Sequence, residues 1–204
     1  MKRGRWVALS LVLLASCGRA AVPSQDGIEL PPQSLLSGYD FLTPDTQRLQ
    51  DDAFENPGYL WVERGEALFT NQVASEPICA SCHSDGLGGV AARYPAIEAS
   101  TGSLQNLEGR INQCRIEHQD TSPLAYESDE LLALTAYVAN QSKGMPITVE
   151  VSERTQPYID QGRDYFLTRR GQFNLSCQHC HTEKWGQHLR GDTISQGHGN
   201  GFPA

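Results

Sequence analysis

Two short motifs, Cys79-Ala80-Ser81-Cys82-His83 and Cys177-Gln178-His179-Cys180-His181, constrain this chain more than any other feature. Cys79 to Cys177 and His83 to His181 each span 98 positions. The segments preceding them, Gly65-Glu66-Ala67-Leu68-Phe69 and Gly162-Arg163-Asp164-Tyr165-Phe166, are offset by 97. Two features at nearly one offset point to a duplicated unit. Cysteines two residues apart sit within one backbone turn, so each can add its sulfur to one haem vinyl group, and the adjacent histidine can ligate the iron. That is the attachment signature of c-type haem. A zinc ribbon places its cysteine pairs about 15–20 residues apart, whereas Cys82 and Cys177 are 95 apart. A redox Cys-x-x-Cys needs no fixed histidine. The spacing predicts two covalently bound haem c groups, on Cys79 and Cys82 and on Cys177 and Cys180, with His83 and His181 on the irons.

Each iron then needs a sixth ligand or keeps an open position. Soluble carriers commonly use methionine. Past the leader the chain has only Met145, which follows the helix it would be expected to precede. Cys114, 31 residues after His83, is the better candidate, and the flanking Arg110 and Arg115 are expected to favour its thiolate. A buried thiol acting as a small hydrophobe is the alternative. His118 is a rival ligand. His118, His179, His188 and His198 lie in polar stretches where a histidine is more often solvated.

In each copy the segment before the cysteines reads as a helix. Trp61, Gly65, Leu68 and Phe69 share one predicted face, as do Tyr158, Gly162, Tyr165 and Phe166. Glycine inside a helix costs about 1 kcal/mol against alanine, and close approach of another helix is one reason to tolerate it. A candidate for that helix starts at a Ser128 cap. Asp129 and Glu130 occupy its favourable first turn, Leu131, Leu134, Thr135 and Val138 form its stripe, and Lys143, Gly144 and Pro146 close it. No strand-like alternation of any length occurs, so the predicted fold is mainly α.

Lys2, Arg3 and Arg5 followed by the short apolar run Trp6 to Ala15 read as a signal peptide over 1–16. Leu14-Ala15-Ser16-Cys17 fits a lipobox that would lipidate Cys17; cleavage near Ala20 or Ala21 is the alternative. Residues 17–57, with Pro23, Pro31, Pro32, Pro44 and Pro57, read as an extended arm with a short helix near Thr46 to Phe54. The first domain is expected over 58–150 and the second over 151–204. Sixteen Lys and Arg against 24 Asp and Glu leave a net charge of −8, which argues against a nucleic-acid partner. The predicted location is the periplasm, with an anchor if Cys17 carries lipid.

Longer stretches narrow the reading. Ala91-Ala92-Arg93-Tyr94-Pro95, Arg110-Ile111-Asn112-Gln113-Cys114-Arg115, Pro123-Leu124-Ala125-Tyr126-Glu127-Ser128, Gly171-Gln172-Phe173-Asn174-Leu175-Ser176-Cys177 and Leu189-Arg190-Gly191-Asp192 resemble the dihaem SoxA subunit of the SoxAX cytochrome, the L-cysteine S-thiosulfotransferase of the bacterial thiosulfate-oxidising system. The similarity runs from about Thr43 to the last residue. The resemblance implies two tandem class I cytochrome c-like domains, and that Cys114 is the thiolate opposite His83. It also implies a partner subunit SoxX bearing a further haem. In that family thiosulfate is joined oxidatively to a cysteine of the carrier SoxYZ, and electrons pass to a c-type cytochrome. The family's catalytic haem is the second one, with a distal cysteine and a nearby arginine. The repeat offset from Cys114 places that cysteine near 212; aligning Tyr94-Pro95 with Phe202-Pro203 places it near 222. Both lie past Ala204, so the second domain is expected to be incomplete, as a truncated record or a truncated gene product. The competing functions are a plain dihaem electron carrier, which should show a methionine before each last helix, and a larger dihaem peroxidase.

Overall fold

The computed structural model describes residues 36–70 and 78–196; the signal peptide, Cys17, His198 and the Phe202-Pro203 pair lie outside them. Among the described residues the fold is mainly α, with seven helices and four two-residue strands: α1 Pro44–Asp51, α2 Tyr59–Thr70, α3 Cys79–Cys82, β1 Ala96–Ile97, β2 Leu104–Gln105, α4 Leu107–Gln119, α5 Asp129–Asn140, α6 Gln156–Leu167, α7 Cys177–His181, β3 His188–Leu189 and β4 Asp192–Thr193. Each strand pair is an antiparallel hairpin, Ala96 opposite Gln105 and His188 opposite Thr193.

The arm helix expected near Thr46 to Phe54 forms earlier, because Thr43 caps it by accepting from Thr46 N–H and Pro44 sits in its first turn. It stops at Asp51 because the Asp52 carboxylate accepts the backbone N–H groups of Phe54 and Glu55 at 2.7 and 2.9 Å, a turn that competes with helix. Asn56, 2% exposed, then joins α1 to α2. Its amide donates to Gln50 O at 2.8 Å and its carbonyl accepts from Gly58 N–H at 2.8 Å.

The central packing is α2 across α5. A Cβ on Gly65 would collide with the Ala133 carbonyl and sit 2.7 Å from Tyr137 Cβ, so the glycine does mark a close crossing. Ser128 caps α5 through Leu131 N–H at 3.4 Å, and Leu131, Ala133, Leu134 and Val138 are buried. Two details differ from the sequence expectation. On α2 the buried residues are Val62, Gly65 and Phe69, while Trp61 is exposed. Trp61 instead carries the Arg64 guanidinium 5.8 Å above its ring, and that guanidinium pairs with Asp129 and Glu130 at 2.9 and 3.4 Å. On α5 Thr135 is only half-buried, because Ala133 takes its place against α2.

The corresponding helix of the second copy behaves differently. Among the described residues α6 packs on α7, buries no residue, and leaves Tyr158 and Tyr165 exposed. Nothing lies within 4 Å of a Cβ placed on Gly162. The apolar face expected there is therefore not a buried face among the described residues.

Helix α4 is a feature that the sequence pattern does not announce. Asn106 caps it by accepting from Gly109 N–H at 2.8 Å, and Asp120 ends it in the left-handed region at φ 52°. Asn112 pins the following loop to it, donating to Leu124 O at 3.0 Å and accepting from Leu124 N–H at 2.8 Å. The core cluster of Phe69, Leu87, Leu134 and Val138 lies against α3 and α4, with Cys79, Val90, Leu107 and Ile111 partly buried on it.

Candidate functional site

A cavity of about 380 Å³ opens between α2, α3, α4 and α5. Its walls include all four residues of the core cluster, and Cys79, Cys82, His83 and Cys114 all line it. Residues 35 positions apart in sequence are thus brought to one site. Helix α3 is a single turn carrying Cys79 and Cys82, and His83 follows as its C-cap. The ring of Phe69 lies 6.3 Å from that of His83, so α2 sets the floor beside the imidazole. Helix α4 forms the facing wall, and its position is tied down at one end, where Gln119 Nε2 donates to Cys79 Sγ at 3.5 Å.

Cys114 sits on the cavity side of α4 and is half-buried. Burial pushes its thiol pKa up, and the Arg110 guanidinium pulls it down, while Cys79, Glu117 and Cys82 add to the rise. The sequence expectation that Arg110 and Arg115 together favour the thiolate needs correction. Burial dominates, and Arg115 is turned to the next loop, donating from Nη2 to Ser122 O at 3.3 Å. A bound metal ion reverses that balance, because coordination removes the thiol proton. His118 also lines the cavity, but its side chain is 58% exposed and 4.0 Å from the Glu117 carboxylate. It is one residue from Gln119 and so stands towards the Cys79 end of the wall. Met145 is outside the cavity lining, its sulfur 3.4 Å from a Cβ placed on Gly89.

The donor set suits haem. Two thiols one turn apart, an adjoining imidazole, a facing thiol and walls of Phe69, Leu87, Leu134 and Val138 match an apolar disc that is attached at one edge and ligated from both faces. Among the described residues no group of three or more His, Cys, Asp and Glu side chains could hold a metal ion by itself, and the five described cysteines are unbridged thiols.

The second motif lies on α7. Cys177 is exposed and Cys180 half-buried. His181 Nδ1 donates to Ser195 O at 2.9 Å, which fixes the ring and turns Nε2 to the role a metal-bound histidine usually gives it, were a metal to bind. His179 is engaged elsewhere: its Nδ1 is 2.7 Å from Ser176 Oγ and accepts from Ser176 N–H at 3.1 Å, capping α7. His188 Nδ1 is 3.2 Å from Thr193 Oγ1 across the β3–β4 hairpin. Sequence reasoning did not find the Gln119 or Ser195 contacts. The α4 start could have been found from Asn106 followed by Glu108 in the first turn; the Ser195 carbonyl leaves no sequence signal.

Residues 64–147 match the SoxA/TsdA cytochrome c domain. The L-cysteine S-thiosulfotransferase subunit SoxA of Pseudaminobacter salicylatoxidans is 36% identical over 190 residues, covering 91% of this chain and 65% of the relative. The same subunit from Rhodovulum sulfidophilum is 37% identical over 174 residues, covering 83% and 61%. The crystal structure of SoxXA from P. pantotrophus superposes with a TM-score of 0.73 at 31% identity, covering 80% of this chain and 63% of that one. The chain thus spans less than two thirds of the length of these relatives. A cytochrome c domain carries c-type haem, and cavity, motif and sequence agree that residues 64–147 form a cytochrome c domain of the SoxA/TsdA type, in a chain similar to SoxA subunits over most of its length.

Proposed function

We propose that this chain is the haem-bearing SoxA-type subunit of a thiosulfate-oxidising complex, with one haem c on Cys79 and Cys82 and a second on Cys177 and Cys180. The observation that carries the reading is the convergence of Cys79, Cys82, His83 and Cys114 on one apolar cavity. Bound there, haem supplies one-electron redox chemistry. Cys79 and Cys82 would tether it, His83 and Cys114 would supply its iron ligands, and Phe69, Leu134 and Val138 would exclude water. A haem so held would relay electrons and offer no open position to substrate. At the second site Ser195 orients His181. One site falls to each of two domains, read as 58–150 and 151–204.

The relatives support the activity proposed here. A thiosulfate anion and a carrier-protein thiol form one S–S bond; the thiol loses its proton to solvent, and the two electrons released pass to a c-type cytochrome, the one-electron chemistry that bound haem would supply. The carrier is of the SoxYZ type, and a SoxX-type subunit, as in the structural neighbour, completes the complex. The location is the periplasm, with Cys17 as a lipid site. Intact mass of the exported protein tests that last point: a mature N-terminus at Ala20 or Ala21 without lipid excludes it. The function is tested by purifying the protein, expressed through its in-frame stop codon, with SoxX and adding SoxYZ, thiosulfate and oxidised cytochrome c. Cytochrome reduction requiring all three additions is expected; reduction independent of the carrier would favour a plain electron carrier.

A further inference from the structure

Three arginines, Arg93, Arg110 and Arg115, line a cavity whose other walls are largely apolar. Charge in such a wall is costly unless a partner meets it. Arg115 already donates to Ser122 O. Arg110 has a partial partner: Nη1 donates to Gln113 Oε1 at 3.1 Å and stands 3.8 Å from Glu98 Oε2. Arg93 has no carboxylate within 4.0 Å among the described residues.

Helix α4 gives the cavity a direction. Gln119, at its C-terminal end, touches the Cys79 sulfur, so that end marks where a vinyl group is attached. Arg110 lies nine residues earlier, about 13 Å back along the axis at 1.5 Å per residue, with Cys114 between. Arg93 and Tyr94, from the 3₁₀ turn Ala91–Arg93 and its C-cap, line the same cavity as Arg110, and the Tyr94 phenol lies within reach of both guanidinium charges. A haem carries its vinyl groups on one edge and its two propionates on the opposite edge.

We infer that Arg93 and Arg110, together with the Tyr94 hydroxyl, form the subsite for the propionate carboxylates of the first haem. A planar guanidinium meets a carboxylate with two parallel N–H groups, and Glu98 and Gln113 hold Arg110 ready for it. The subsite gives the cavity a polarity: cysteines at one end, cations at the other, so that haem enters in one orientation. This inference rests on haem attachment at Cys79 and Cys82.

The test uses the full chain, matured with haem, as wild type, Arg93→Gln, Arg110→Gln, Arg110→Lys and the exposed control Arg154→Gln. Intact mass counts attached haems, resonance Raman reads the propionate-bending band, and a redox titration reads the first haem's potential. The expected result is a shifted propionate band and a lowered potential in both glutamine variants, partial return in Arg110→Lys, and no change in Arg154→Gln. Arg93→Gln should also leave the ferric paramagnetic resonance signal of the thiolate ligand unchanged, which separates a propionate contact from an effect on Cys114. An unchanged band in both glutamine variants with haem attached overturns the inference. Wild-type chain with no haem on Cys79 and Cys82 overturns the haem reading, and this inference with it.

Discussion

Replacing Cys114 with methionine is expected to raise the potential of the first haem, because an anionic thiolate favours ferric over ferrous iron and a neutral thioether does not. A redox titration followed by paramagnetic resonance checks it, and an unchanged ferric signal would exclude Cys114 as ligand. Glu98 gives a second residue-level prediction. Its carboxylate accepts from Ser100 N–H at 3.1 Å and Ser100 Oγ at 3.0 Å, and these bonds, with Gln113 and Arg110, hold it below its ordinary value of 4.5. A group depressed on folding contributes stability that is present above the unfolded value and lost as the pH falls through the folded one. Denaturant melts of wild type should therefore lose stability below about pH 4.5, while Glu98→Gln should start lower and show a flatter acid limb. Equal slopes would remove Glu98 from the acid response. Cys79, Cys82 and His83 could be grouped from the sequence because their pattern is local, and the structure brings them to one cavity. Cys114 could be singled out by position but not placed, since what puts it in the cavity is the path of α4.

Gly65→Ala and Gly162→Ala should have opposite signs. At Gly65 the new methyl meets the Ala133 carbonyl and Tyr137 Cβ across the α2–α5 crossing. Overpacking costs about 1–3 kcal/mol and should outweigh the gain of up to about 1 kcal/mol in helix propensity. At Gly162 the space is open, so the propensity gain stands alone. Thermal melts of the two variants decide; destabilisation at Gly162 would mean that α6 carries a partner in solution. Helix α5 was readable because cap, acidic first turn, apolar stripe and closing glycine all agree. Helix α4 was not, because Leu107, Ile111 and Cys114 face the cavity while Ile116 is exposed and Arg110, Asn112 and Gln113 make polar contacts, which breaks the apolar period. The predicted face of α2 erred by one position, Trp61 for Val62, since a tryptophan paired with Arg64 packs its ring along the surface.

At the scale of the whole molecule, the cavity walls and the core are the same residues: Phe69, Leu87, Leu134 and Val138 belong to both. Fully burying a side chain of this size is worth about 1.5–3 kcal/mol, and the total stability of a domain is only about 5–15 kcal/mol. The Cys79→Ser, Cys82→Ser chain, unable to hold its haem, should therefore lose protection over residues 58–150 in limited proteolysis. Resistance equal to wild type would show that the core closes without haem. The mainly α character was legible from the absence of strand alternation; the long-range closure was not. Leu36 N–H donates to Gln196 Oε1 at 2.6 Å and Gln196 N–H donates to Leu36 O at 3.3 Å, across 160 positions. Those bonds carry a timetable. A chain made from its N-terminus at about 5–20 residues per second presents Leu36 roughly 8–30 s before Gln196 exists. Through that interval the front of the chain must wait undocked while both cysteine motifs are delivered behind it.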